Sequence, residues 1–120
     1  MKTWILPVLA LAVCIAMPLT AEAPKTWKGE VIDVACYVTS GDEARGPKHA
    51  DCAKRCLKSG QPMALLTDDG TLVMLVADSR DNSAYEALKD MAGEIASVAG
   101  TLAERDGMKV VTVTGAKKAS

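Results

Sequence analysis

MALLTDDGTLVMLVADSRDNSAYEALKDMAG, residues 63–93, decides the fold. Met63–Leu66 and Thr71–Ala77 are apolar runs on either side of Thr67-Asp68-Asp69-Gly70. Two such runs around Asp-Gly predict a β-hairpin, because Asp and Gly tolerate the positive φ angles of tight hairpin turns. The polar stretch 78–82 follows. Ser83-x-x-Glu86 has the form of a capping box, and Ala84, Leu88, Met91 and Ala92 lie at helical spacing. A helix is therefore expected over 83–92, with Gly93 ending it.

Working outward, residues 94–104 and 108–114 flank Arg105-Asp106-Gly107 and predict a second hairpin. Residues 117–120 read as a solvated tail. Upstream, WKGEVIDVACY (27–37) is rich in β-branched residues and alternates Trp27, Gly29, Val31, Asp33 on one parity, which predicts a strand. Gly29 marks a bulge or bend. Residues 39–46 are a polar, glycine-bounded loop, and Pro47 suits a first helical turn. Residues 49–57 carry good helix formers, closed by Gly60 and Pro62. The expected chain is mainly β with two helices. One helix lies in the loop between strands 1 and 2, and the other between strands 3 and 4. That order suits a five-stranded OB-like barrel, with the Ser83 helix plugging one end. Residues 24–120 form its single domain.

The N-terminus begins Met1-Lys2-Thr3-Trp4, continues with an apolar run of about 15 residues, and reaches Ala21-Glu22-Ala23. A basic start, an apolar centre and a small-residue cleavage pattern mark residues 1–23 as a signal peptide. Cleavage is expected after Ala23 or Ala21. A spanning helix wants about 20 apolar residues without breaks, and Pro7 and Pro18 interrupt this run, so no permanent span is expected. Leu11-Ala12-Val13-Cys14 has the outline of a lipidation box, with a bulky Val13 against it. The expected location is periplasmic or secreted.

The full chain has 120 residues, with 14 Lys+Arg against 15 Asp+Glu, and a net charge of −1. That balance excludes a partner held by phosphate charge, so no nucleic acid is expected. Neither G-x-x-x-x-G-K-[ST] nor G-x-G-x-x-G occurs, so no nucleotide cradle is legible. Trp27 and Tyr37 read as packing residues. Met63, Met74, Met91 and Met108 read as core filling rather than a copper relay, because they fall on four separate elements.

Chemistry concentrates in Cys36, His49, Cys52 and Cys56, spaced C-Y-x11-H-x2-C-x3-C. At 100° per residue, His49, Cys52 and Cys56 occupy a helical arc of roughly 60°. Three thiolates and an imidazole match a Cys₃His zinc site, and soft sulfur also suits copper(I). His49 and Cys56 are about 10 Å apart along the axis, too far for one ion with bonds near 2.0–2.3 Å. Cys36 with two of the helix residues is the workable set. A disulfide from Cys36 to Cys52 or Cys56 is the alternative in an exported domain. It leaves either an inert staple for a structural or interaction domain that meets a protein partner, or a thiol-redox pair with a third, exchanging cysteine. C-x-x-C-H and C-x-x-C are absent, against haem attachment and thioredoxin-type chemistry. No catalytic constellation is complete, so a non-catalytic role is expected.

Gly29-x-Val31-x-Asp33-x-x-Cys36-Tyr37, then Gly46-x-x-His49-x-x-Cys52-Ala53-x-x-Cys56, then Gly60-x-Pro62 resembles a pattern in small exported bacterial proteins of unknown function. The likeness spans about residues 29–76. It implies a recurring module with a Cys/His site and an OB-type C-terminal half.

Overall fold

The computed structural model describes residues 24–119; the expected signal peptide and the Cys14 box lie outside them. Among the described residues there are five strands and three α-helices. They run β1 (Lys25–Asp33), α1 (Val34–Ser40), α2 (Ala50–Lys58), β2 (Met63–Thr67), β3 (Leu72–Ala77), α3 (Ser83–Lys89), β4 (Ile95–Arg105) and β5 (Met108–Lys118), with a 3₁₀ turn, Gly41–Ala44, after α1. The strands close into a barrel in the order β1-β2-β3-β5-β4. All neighbours are antiparallel except β3 and β5.

Closure depends on β1 serving two partners. Its first half, Lys25–Glu30, pairs with β4, and its second half, Gly29–Asp33, pairs with β2. Gly29 sits where the two ladders overlap. A Cβ there would run into the Leu66 carbonyl oxygen, so only glycine permits so close an approach. No register shift accompanies it in either ladder, so it is not a bulge. The register shift lies instead between Ala99 and Gly100 in the β4–β5 ladder.

Strand alternation separates two apolar clusters. Val31, Leu65, Val73, Leu75, Val98, Val111 and Val113 share the main core with Ala53 and Leu57 of α2 and with Leu88 and Ala92. The helix α3 thus covers the core as its apolar stripe predicted. Ile32, Ala64 and Leu66 form a second cluster with Val34 and Tyr37, so α1 packs on the other face of β1 and β2. Trp27 packs against the main core. No helix among the described residues is long and apolar enough to cross a membrane.

Several expectations are corrected. The first strand does not continue to Tyr37. It stops at Asp33, whose Oδ1 accepts from Ala35 N at 3.0 Å and caps α1. The β-branched run masked this helix, so the helix count is three and not two. α2 begins at Ala50, after a turn through Pro47, and α3 ends at Lys89. The Ser83–Glu86 capping box is not made: the N-cap is Asn82, without a side-chain hydrogen bond, and Asp81 Oδ1 accepts from Ser83 N. β5 runs on to Lys118, and Lys117 pairs with Ser97, so the first two residues of the expected tail are strand. Met108 is 60% exposed and is not core filling.

Candidate metal centre

The centre forms where β1 hands the chain to the inserted helices. Cys36 is the third residue of α1, so its side chain turns back toward the Asp33 cap. The next segment is pinned by Glu30, which is buried on β1. Its Oε2 accepts from Gly46 N at 2.9 Å, and its Oε1 accepts from Arg45 Nε at 3.4 Å. Gly46 O then accepts from His49 N at 3.1 Å, and His49 O accepts from Ala53 N at 2.9 Å to open α2. His49 is therefore the N-cap of α2, but its side chain makes no cap bond. The imidazole is left available for other work.

Ala53 and Leu57 are the inward residues of α2, 3% and 0% exposed. Cys52 and Cys56 adjoin them and are half-buried beside α1. Val34 N donates to Pro62 O at 3.0 Å, so the entry to α1 and the exit from α2 are tied together.

This scaffold sorts the donor atoms into two groups that share one sulfur. In the first, one donor atom from each of Cys36, His49 and Cys52 lies within 4.8 Å of the others. In the second, Asp33, Cys36 and Cys56 meet the same limit. Donors of one tetrahedral ion stand roughly 3.3–3.8 Å apart, given bonds of about 2.0–2.3 Å. The 4.8 Å limit lies about 1 Å or more above that range. Cys36, Cys52 and Cys56 are free thiols, and no disulfide joins the described cysteines. Cys56 is not grouped with His49, as their axial separation on α2 predicted.

His49 Nε2 and Asp33 Oδ2 are both buried and lack a hydrogen-bond partner of normal geometry. Unpartnered buried polar atoms are costly and uncommon, and here both belong to residues grouped with Cys36. The Cys36 thiol is pushed up to about 12. The leading cause is the Asp33 carboxylate, which favours the protonated thiol as a hydrogen-bond donor, followed by burial, the Asp33 charge and Cys56. Cys56 is also raised, with Asp33 again the leading cause.

Asp33 is the residue that sequence reasoning missed. It is fully buried, and its signal was an acid on the same strand parity as Trp27 and Val31, both of which pack in the main core. The groove of about 430 Å³ lined by Trp27, Thr67, Asp69, Leu102 and Lys109 includes no cysteine. The chain matches no protein-family model, no curated protein and no solved structure.

Proposed function

We propose that this protein is an exported, non-catalytic metal-binding module on an OB-type barrel. Cys36, His49 and Cys52 hold a thiophilic ion, zinc or copper(I), and Cys56 stands one turn further along α2, close to Cys36. The carrying observation is the convergence of Cys36, His49 and Cys52 donors within 4.8 Å, with His49 Nε2 buried and unpartnered. Two sulfurs and an imidazole nitrogen suit zinc with a further donor, and suit copper(I) in a three-coordinate arrangement. The strand order, with α3 between β3 and β4, supports the OB-type reading. The signal-like N-terminus and the C-Y…G-x-x-H-x-x-C-A-x-x-C resemblance support export and kinship with small exported bacterial proteins.

Metal titration of the reduced protein, followed by native mass spectrometry, tests the binding. Zinc or copper(I) should be retained, and Cys36→Ser should abolish retention. A reduced, folded protein that retains neither ion would refute the reading. Fractionation of the producing cell tests export.

Thiol-disulfide exchange is the second reading, favoured by the closeness of Cys36 and Cys56. The raised thiols weigh against it. A reactive cysteine is helped by a lowered pKa, whereas Cys36 and Cys56 are both shifted the other way.

A further inference from the structure

We propose that Asp33, Cys36 and Cys56 form a second metal position, so that the protein binds two thiophilic ions bridged by the Cys36 sulfur. This rests on the metal-binding reading above and extends it from one ion to two.

Geometry carries the inference. The donor set splits by height along α2. His49 and Cys52 lie toward its start, and Cys56 lies one turn further on, with about 10 Å of axis between His49 and Cys56. No single ion spans that distance. The structure instead places His49 and Cys52 with Cys36 in one group, and Cys56 and Asp33 with Cys36 in another. Cys36 belongs to both, and it sits on α1, whereas His49 caps α2 and Cys52 and Cys56 lie on it.

Asp33 supplies the independent observation. It is 0% exposed. One carboxylate oxygen is committed to capping α1 through Ala35 N. The other, Oδ2, is buried and has no donor of normal geometry. Arg45, Lys58, Arg80, Lys89 and Lys118 pair with Glu30, Asp42, Asp78, Glu86, Asp90 and Glu94, not with Asp33. A buried carboxylate oxygen calls for a proton donor or a cation, and the side chains grouped with it are two thiols, weak donors that lean on the carboxylate without reaching normal hydrogen-bond geometry. A cation bound to those sulfurs as thiolates would complete the carboxylate's partners while the N-cap bond stays in place. The ligand class is a divalent or monovalent ion that accepts sulfur and oxygen together. Zinc takes both, and cadmium is its sulfur-preferring probe.

Native mass spectrometry of the reduced protein, titrated with zinc alone and then with cadmium alone, counts the ions directly. The expected wild-type stoichiometry is two. Asp33→Asn keeps a capping side chain and should reduce the count to one, as should Cys56→Ser. His49→Ala should also leave one ion, now at the second position. Cys36→Ser should leave none. Circular dichroism of each variant verifies that the barrel remains folded. A wild type that saturates at one ion, with that ion unaffected by Asp33→Asn and Cys56→Ser, overturns the second position while the first stands. One ion lost equally with His49→Ala and with Asp33→Asn overturns it in favour of a single mixed site. A protein that binds no ion overturns both proposals.

Discussion

The barrel and the insertion between β1 and β2 solve the burial problem in opposite ways. The barrel closes its strands on one another and fills the interior with aliphatic side chains, with Val31, Leu65, Val98, Val111 and Val113 each 0% exposed. Its backbone groups are satisfied by the ladders themselves. The insertion has no comparable core of its own. α1 has no fully buried residue, and α2 has only Ala53 and Leu57. Between these helices lie three half-buried thiols, an orphaned imidazole nitrogen and an orphaned carboxylate oxygen. The barrel is complete without a ligand, whereas the insertion gathers groups that call for one.

The largest expected effect falls on the barrel. Leu65→Ala should cost about 2–5 kcal/mol, the usual range for emptying a packed leucine position, read from urea unfolding. The cost should be similar with and without zinc, because Leu65 lies in the main barrel core. A cost that largely disappears when zinc is added would mean that the two regions are not separable.

Zinc itself should act on the other side of the comparison. At a free concentration of about 100 times its dissociation constant, linkage predicts about 2.7 kcal/mol of stabilisation. Hydrogen exchange should slow most in α1 and α2, with little change in β3 and β5. Uniform slowing throughout the barrel would break the distinction.

Gly93 joins the two regions and is the next test. It has φ of +79°, and a Cβ there would stand 2.8 Å from Gly46 O and 3.0 Å from Ala50 Cβ. Gly93→Ala should therefore cost about 1–2 kcal/mol from left-handed strain alone, and more if the α2 entry cannot yield. Since Gly46 also accepts from His49 N, the same change should weaken zinc binding. Normal zinc affinity in a destabilised Gly93→Ala protein would show that the His49 turn tolerates displacement.

The same contrast explains what was legible in the sequence. The hairpins were legible because Asp-Gly turns and alternating apolar runs are local signals. The stripe on α3 was legible because its burial follows one period. The insertion was harder. Val31, Ile32 and Val34 look like one strand with Val38 not far beyond, yet an Asp33 side chain folding onto Ala35 N ends the strand between Ile32 and Val34. Spacing along α2 correctly separated His49 from Cys56, because helical geometry is fixed. It could not place Cys36, whose position depends on a cap and on Glu30 holding Gly46 from another strand. Asp33 was visible as an acid on a core-facing parity and as a position of the Gly29-x-Val31-x-Asp33-x-x-Cys36-Tyr37 pattern, but not as a metal donor.

The smallest expected effect isolates Asp33. Asp33→Asn retains a good N-cap residue and removes the carboxylate's charge, so α1 should persist. The Cys36 thiol stands at about 12 against an ordinary 9.0, with Asp33 the leading cause. A folded-state pKa raised above the unfolded value stabilises the fold fully below pH 9.0, and that contribution is lost as pH rises toward 12. The metal-free protein should accordingly lose stability across this alkaline window, as its unfolded chain releases the thiol proton first. In Asp33→Asn the folded thiol should titrate at lower pH, followed by thiolate ultraviolet absorbance, and the alkaline loss should shrink. The first metal position should benefit as well. Zinc must displace the Cys36 proton to bind, so easier ionisation should move the rise in affinity to lower pH. A thiolate titration unchanged by Asp33→Asn would remove Asp33 as the cause of the raised thiol.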